Sequence, residues 1–145
     1  MKTVTFFGHR DTPKEMAYTL RMTLINLITS ENALVFYVGN NGAFDSIVSR
    51  QLQELSAFYP IKYNVVLAYM PDKKNISEDM SATLYPEGIE NVPKRFAISW
   101  RNKWMLKQSD IVVTYVTHPV GGAFKFKTLA EKQGKTIIEL SNSAT

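Results

Sequence analysis

The stretch that decides the fold stands near the start of the chain and reads Val4-Thr5-Phe6-Phe7-Gly8-His9-Arg10. Four consecutive strand-forming residues followed by glycine predict a short buried strand that ends in a turn. Thr12 and Glu15 then match a capping box around Pro13, which predicts that a helix begins here. Apolar residues at helical spacing support that helix: Ala17, Leu20, Leu24, Leu27 and Ile28.

The same alternation of strand and helix continues along the chain. Further strands are predicted over 33–38, 63–70, 111–117 and 136–140, and further helices around 44–55, 94–108 and 121–133. Because the strands are almost continuously apolar, we expect a parallel sheet covered by helices on both faces. The predicted fold is α/β: a three-layer, Rossmann-like sandwich of about five parallel strands, formed by a single domain over residues 1–145.

Composition narrows the range of functions before any motif is considered. The 145 residues carry 17 Lys and Arg against 13 Asp and Glu, a formal net charge of +4. That positive excess suits an anionic ligand. The sequence shows no continuous basic stripe of the kind that many nucleic-acid binders carry, so nucleic acid is not expected as a partner. The absence of cysteine excludes a zinc finger, an iron–sulfur cluster and a thiol nucleophile, and it fits a reducing cytoplasm.

Metal and membrane sites are not expected either. The two histidines, His9 and His118, occur without cysteine and without an H-x-x-x-H pair, so no metal site is predicted. His9 is better interpreted as a hydrogen-bonding residue. The longest apolar runs have strand length and fall short of the roughly 20 residues that span a membrane. We therefore expect a cytoplasmic protein, and we expect no cofactor.

The segment 71–93 departs from the alternating pattern. It contains three prolines and shows no sustained periodicity. Connections of this length inside a compact domain are often functional, so the sequence predicts a lid. Within it, residues 85–94 are expected to become ordered when a ligand binds, because segments at a ligand edge tend to have low local stability.

Three turns are expected to meet at one edge of the sheet. In an open parallel sheet, ligands bind beyond the carboxyl ends of the strands, near the point where the strand order reverses. The turns at that edge are Gly8-His9-Arg10-Asp11, Gly39-Asn40-Asn41-Gly42 and His118-Pro119-Val120-Gly121-Gly122. Glycine lets backbone N–H groups approach a ligand closely, and a helix N-terminus favours an anion. These turns predict a site for phosphate or another anion, although glycine is also common in turns that bind nothing.

Basic side chains near these turns would strengthen such a site. Arg10 follows the Gly8 turn and offers a planar guanidinium to a phosphate or carboxylate. Lys125 and Lys127 lie in the first turns of the last predicted helix, where the helix dipole disfavours cations. A bound anion would reverse that penalty. The alternative is that both lysines are simply solvated.

A segment of mixed basic and aromatic residues, 94–105, precedes the fourth predicted strand. Trp100 and Trp104 stand four residues apart and share one helix face, which is more typical of a core than of a surface that stacks bases. Arg101 and Asn102 lie beside that face and could point toward the ligand edge.

The pattern R-N-x-x-M-x-x-x-S-D, followed by a strand and a Gly-Gly turn, is carried by Arg101, Asn102, Met105, Ser109, Asp110, Gly121 and Gly122. With the two earlier turns, it resembles the SLOG superfamily of Rossmann-like nucleotide-binding domains over nearly the whole chain. That superfamily includes the lonely-guy phosphoribohydrolases and the Rossmann domain of DNA-processing protein A. The resemblance implies a nucleotide or nucleotide derivative as ligand, contacted by Gly8, His9, Arg10, Gly39, Asn40, Asn41, Gly42, Asp45, Arg101, Asn102, Gly121, Gly122 and Lys125.

The last Gly-Gly turn departs from the lonely-guy pattern P-G-G-x-G-T-x-x-E. Val120 separates Pro119 from the glycine pair, and Thr128 stands where those enzymes carry a catalytic glutamate. Threonine neither activates water well nor stabilises an oxocarbenium-like centre. The sequence therefore favours a nucleotide-binding or sensing domain without strong turnover, and no catalytic residue is assigned.

Two other interpretations stay open on the sequence. The first is a nucleotide phosphoribohydrolase or related N-glycosyl-transferring enzyme that uses Asp45 or Glu87 in place of the missing glutamate. The second is DNA binding by analogy with DNA-processing protein A, which the modest net charge does not support. The sequence does not determine the base of the ligand, nor whether the chain forms a homo-oligomer such as a dimer.

Overall fold

The computed structural model describes residues 1–70 and 82–144. Its strands are β1 (Lys2–Gly8), β2 (Ala33–Val38), β3 (Lys62–Val66), β4 (Thr83–Leu84), β5 (Ile111–Tyr115) and β6 (Thr136–Glu139). Its helices are α1 (Met16–Ser30), α2 (Ala43–Leu55), α3 (Ala97–Gln108) and α4 (Gly121–Lys132). Short 3₁₀ turns occupy Ile89–Asn91, Lys94–Phe96 and Leu140–Ala144.

The six strands form one parallel sheet in the order β4-β3-β2-β1-β5-β6. The chain builds the sheet outward from β1 to β4 on one side, and then returns to the other side of β1 with β5. The strand order therefore reverses between β1 and β5, where the carboxyl ends of the two strands separate. The predicted Rossmann-like α/β fold is confirmed.

The core lies on both faces of the sheet, as the continuous apolar strands predict. Phe6 and Phe7 are consecutive residues of β1 and point to opposite faces. Phe6 packs against Phe36 in the cluster that contains the apolar faces of α1 and α2. Phe7 stacks on Phe126 in the cluster formed with α3 and α4. Two helices thus cover each face.

The structure adds one strand that sequence periodicity does not reveal. β4 is two residues long and lies inside the segment predicted to be irregular. It pairs with β3 because the N–H groups of Val65 and Leu67 donate to the carbonyls of Ala82 and Leu84. A strand this short has no period to detect, so its identity depends on the neighbouring strand.

The first helix begins later than the capping box predicts. α1 starts at Met16, and the Thr12 hydroxyl donates a 2.6 Å hydrogen bond to the His9 carbonyl instead of capping the helix. The prediction of a helix start at Thr12 is therefore wrong. The hydroxyl closes the turn after β1, because a hydrogen bond to a nearby backbone group competes with the hydrogen bond that would cap the helix.

The predicted lid falls partly outside the described residues, since 71–81 are not among them. The part that is described, 82–93, contributes β4 and a 3₁₀ turn whose Ile89 is buried. Directly after this segment, the Lys94 carbonyl accepts a 3.2 Å hydrogen bond from the Tyr69 hydroxyl. Ordering of 85–94 on ligand binding stays a prediction.

Candidate functional site

A crevice of about 420 Å³ opens where the strand order reverses between β1 and β5. Its walls come from the turn after β1, the start of α2, one face of α3 and the first turn of α4. Nine residues that the sequence assigns to the site line it: Gly8, His9, Arg10, Asn41, Asp45, Arg101, Asn102, Gly121 and Gly122.

The turn after β1 is held against the start of α2. A Cβ on Gly8 would lie 2.2 Å from the ring of Phe44, so only glycine allows this approach. Gly42, which precedes α2, has a φ of +95° and packs against Arg10 in the same way. The Ala43 N–H also donates to the Arg10 carbonyl at 2.9 Å. These contacts position Arg10 at the mouth of the crevice.

His9 is buried and accepts a hydrogen bond. Its Nε2 accepts the backbone N–H of Thr117 at 2.9 Å, which joins the turn after β1 to the loop after β5. The ring also stacks on His118, with 3.9 Å between centroids and 6° between planes. Burial and the neighbouring His118 lower the pKa of His9 below 6.5, so the neutral ring that accepts the Thr117 bond is favoured.

Arg101 is the largest fully buried side chain, with 1% of its surface exposed. Its guanidinium donates to the side-chain oxygens of Asn40 and Asn41 at 3.0 and 2.7 Å, and to the Val66 carbonyl at 3.0 Å. Its Nε donates to the side-chain oxygen of Asn102 at 2.9 Å. Every one of these acceptors is neutral. The sequence places Arg101 beside the core face of its helix, whereas the structure buries it.

The most deeply buried face of α3 carries Ala97, Arg101 and Met105, while Trp100 and Trp104 are half-buried. Trp104 packs against the core cluster that contains Phe7, and its ring lies 5.2 Å from that of Tyr37. The two tryptophans therefore flank the buried face and do not form its centre. The guanidinium can be buried because β3 and the turn before α2 supply acceptors that its helix lacks.

Asp45 lies close to Arg101 but is not ion-paired with it. Its carboxylate accepts the backbone N–H of Asn41 at 2.9 Å. Gly39 separates the two charged groups: a Cβ there would lie 2.9 Å from the Asp45 carboxylate and 3.0 Å from the Arg101 guanidinium carbon. Burial raises the pKa of Asp45 from 3.8 to about 6, although the Asn41 N–H and the charge of Arg101 oppose the rise.

The first turn of α4 forms the opposite wall. Gly121 has a φ of +92°, and no side chain caps the helix. Nothing lies within 4 Å of where a Cβ would stand on Gly121 or Gly122, so the space in front of both residues is open. The N–H groups of the first turn of a helix have no partners inside the helix, and here no side chain takes their place.

The lysines and Thr128 of α4 lie elsewhere. Lys125 is exposed, stands over the ring of Phe126 at 5.6 Å and does not line the crevice. The Lys127 ammonium donates to the Glu139 carboxylate at 2.9 Å and forms an ion pair with it. Thr128 is half-buried and also lies outside the crevice lining.

Three other residues assigned from the sequence support the crevice from outside. Gly39 is buried behind Asp45, Gly42 packs under Arg10, and Asn40 orients Arg101. Asp11, His118 and Val120, which belong to the turns predicted at this edge, also line the crevice. The sequence did not assign five further lining residues: Phe6, Phe7, Ile98, Met105 and Ala123. Ile98 and Met105 stand one turn before and after Arg101, so helical spacing from Arg101 could have identified them.

Within 1–70 and 82–144, no group of three or more His, Asp and Glu could hold a metal ion. In the same ranges, no helix is both long and apolar enough to cross a membrane.

Comparisons with known proteins identify the fold but no closer relative. No protein-family model matches the chain, and no curated protein does. The structure is similar to DNA processing protein A (DprA) from Streptococcus pneumoniae, with a TM-score of 0.69 and 17% identity over 94% of this chain. The chain spans 49% of that protein, about half its length. The expected likeness to the SLOG superfamily is supported at the level of the fold.

DNA processing protein A from Helicobacter pylori is also similar, with a TM-score of 0.65 and 15% identity over 98% of this chain and 70% of that one. It binds single-stranded DNA. The prediction that nucleic acid is not a partner is therefore wrong. It relied on a net charge of +4, and a net charge does not report where cations converge. Arg10 and Arg101 meet at one crevice in this fold.

Proposed function

We propose that the crevice binds a phosphorylated nucleotide unit, either a free nucleotide or part of a single strand of DNA, and that it does so without strong turnover. Arg101 carries the proposal. Its guanidinium is buried against the crevice, it donates to neutral acceptors, and it forms no ion pair within the described part of the chain. A buried cation without a direct counter-ion favours an anionic ligand.

The start of α4 suits the phosphate. Gly121 and Gly122 leave the N–H groups of its first turn open to the crevice, and no side chain caps them. Such N–H groups, aligned with the positive end of the helix dipole, bind phosphate well. Arg10, exposed at the mouth, adds a second cation on the same side.

The rest of the crevice suits a nucleoside. Ile98, Met105, Val120 and Ala123 supply apolar surface on the α3 and α4 walls, against which a base can pack. The volume of about 420 Å³ falls within the usual range of small-molecule sites, roughly 300–1,000 Å³. Asp45 and Asn102 offer polar groups that could bind a sugar hydroxyl or the edge of a base.

The nucleotide unit can come from either of two ligands, a free nucleotide or single-stranded DNA. A free nucleotide is the ligand implied by the resemblance to the SLOG superfamily. Single-stranded DNA is the ligand of the Helicobacter pylori protein that shares this fold. Both present the same chemistry to Arg101 and to α4, so binding experiments need both kinds of ligand.

Slow turnover follows from the placement of acidic groups. Thr128 occupies the position of the lonely-guy glutamate, and Glu87 is exposed and does not line the crevice. A phosphate site binds substrate and transition state alike, and uniform binding does not accelerate the chemical step. N-glycosidic hydrolysis is a second candidate function, favoured by one observation: Asp45 lines the crevice, and burial raises its pKa to about 6.

Calorimetric titration at low salt tests the binding proposal. We expect heat with AMP, GMP, CMP or UMP, or with a 5′-phosphorylated thymidine oligonucleotide, and at least about tenfold weaker binding by Gly122→Asp. Gln108→Glu is the matched control, since it adds the same charge at the last residue of α3, outside the crevice lining. No heat with any ligand, or equal binding by Gly122→Asp and wild type, would overturn the proposal.

Release of free base from the same monophosphates tests turnover. We expect less than about 1 s⁻¹, the lower end of typical enzymes. Faster release that Asp45→Asn abolishes would establish hydrolysis as the function instead.

A further inference from the structure

A second cavity adjoins the crevice, and Asp45 lines both of them. The second cavity has a volume of about 460 Å³ and lies between one face of α2 and the strands β3 and β4. Ser46, Ser49, Arg50 and Gln53 form its α2 wall at helical spacing. Tyr63 contributes an aromatic ring to the opposite wall.

The α2 wall includes three polar side chains that have no partner among the described residues, whereas the Ser46 hydroxyl donates to the Gly42 carbonyl at 3.2 Å. Within the residues that the structure describes, the side chains of Ser49, Arg50 and Gln53 form no hydrogen bond or ion pair. On the other side of the same helix, Gln51 and Glu54 both accept hydrogen bonds from Arg21 of α1. The polar side chains of α2 that face α1 are therefore paired, while Ser49, Arg50 and Gln53, which face the cavity, are not paired within the described residues.

We propose that this second cavity is a subsite for the next phosphate-linked nucleotide unit of the ligand in the crevice. The inference rests on the proposed function and extends it, because it identifies the ligand as at least a dinucleotide. Arg50 would pair with the second phosphate, and the Tyr63 ring would stack with the second base. Stacking on an aromatic ring accepts any base, since every base has a π-face.

The positions of the charges fit a ligand that runs from one cavity into the other. Asp45 and Arg50 are the charged residues of the second cavity, and about 7.5 Å of helix rise separates them along α2. Arg50 lines the second cavity and not the crevice, so it is not among the residues that surround a mononucleotide held at α4 and Arg101. Asp45, at the junction, would accept hydrogen bonds from a hydroxyl or amino group between the two phosphates.

The path continues past the second cavity. A third cavity of about 500 Å³ shares Gln53, Tyr63 and Ala82 with the second, and adds Lys62 and Asn64. An isolated mononucleotide site needs no such continuation. A series of adjoining cavities that combine apolar surface with a cation in each suits a phosphate-linked chain, whose bases and phosphates alternate.

The test compares thymidine 5′-monophosphate with the 5′-phosphorylated thymidine dinucleotide, by calorimetry on the full chain. We expect the dinucleotide to bind about tenfold more tightly to wild type. Arg50→Gln should remove that gain and leave mononucleotide binding unchanged, because Arg50 lies outside the crevice. Lys107→Gln, in the last turn of α3 and outside both cavities, loses the same charge and should keep the gain.

Salt dependence supplies a second measurement. For dinucleotide binding, the slope of the logarithm of the binding constant against the logarithm of the salt concentration should be smaller in Arg50→Gln than in wild type. The difference should be about one unit, the value for one phosphate contact. If the mononucleotide binds but the dinucleotide gains nothing, or gains equally in Arg50→Gln, the subsite is refuted and the crevice remains. If neither ligand binds, the proposed function fails, and the subsite fails with it.

Discussion

The guanidinium of Arg101 donates a 2.7 Å hydrogen bond to the side-chain oxygen of Asn41, and so joins α3 to the turn before α2. The same group reaches Asn40 and the carbonyl at the end of β3. One side chain thus connects three segments that are distant in the sequence. The floor of the crevice has its shape because those acceptors surround a single buried cation.

Arg101→Met should destabilise the protein. It removes the donors for Asn40, Asn41 and Val66, and we expect the free energy of unfolding to fall by about 2–4 kcal/mol. Urea unfolding at neutral pH measures the change. Arg95→Met is the control, because Arg95 is exposed and stands over the Phe96 ring. Equal stability of the two variants would contradict the structural role of Arg101.

Asp45→Asn should change how stability depends on pH. The pKa of Asp45 is raised to about 6 in the folded chain, so the folded state holds this proton more tightly than the unfolded state does. The resulting stabilisation is complete below the unfolded pKa of 3.8 and is lost as the pH rises through about 6. Wild type should therefore lose stability relative to Asp45→Asn between about pH 4 and pH 7.

Urea unfolding of both proteins at pH 4.5 and pH 7.5 measures this difference. Asp11→Asn serves as the control, since Asp11 is exposed at the mouth of the same crevice. Parallel pH profiles for wild type and Asp45→Asn would show that Asp45 titrates as an ordinary carboxyl.

Glu139→Gln should cost more than the loss of a surface ion pair. The carboxylate accepts bonds from Thr114, Val116, Lys127 and Ser141, and its side chain is 6% exposed. We expect the free energy of unfolding to fall by about 1.5–3 kcal/mol at neutral pH. Glu31→Gln breaks the exposed pair with Lys2 and should cost less than about 0.5 kcal/mol.

The Glu139 effect should also depend on pH. Hydrogen bonds from these donors lower the pKa of Glu139 below 4.5, and they outweigh the effect of its burial. The stabilisation is therefore present above the ordinary glutamate pKa, and it is lost as the pH falls through the lowered value. Thermal unfolding of wild type and Glu139→Gln should converge at acid pH; a constant difference at every pH would count against an ionised Glu139.

Gly8→Ala and Gly122→Ala should have opposite effects on stability. The added methyl at Gly8 would lie 2.2 Å from the Phe44 ring, so the turn after β1 must move away from α2, at a cost of about 1–3 kcal/mol. At Gly122 the added methyl meets no atom within 4 Å, and alanine favours the helix by up to about 1 kcal/mol. Thermal melting of both variants tests the comparison, and a tolerated Gly8→Ala would show that the turn can relax.

The residues that line the ligand edge were largely predictable from the sequence. Gly8, His9 and Arg10 follow an apolar strand, and Gly121 and Gly122 open a helix, so the strand-end rule for parallel sheets brings both turns to one crevice. The strands and helices themselves show in local periodicity, because main-chain geometry repeats every two or 3.6 residues. β4 was missed because two residues contain no such repeat.

Only the tertiary structure decided which polar groups face each other. Trp104 packs against the core as its hydrophobicity predicts, but Arg101 is buried more deeply than either tryptophan of α3, because acceptors from positions far along the chain surround it. Lys127 likewise pairs with Glu139 of β6, while the ring of His9 accepts the N–H of Thr117. The sequence by itself determined the sheet, its helices and the edge at which the crevice opens. Which charge is buried, paired or left for a ligand depends on partners that only folding brings within hydrogen-bond distance.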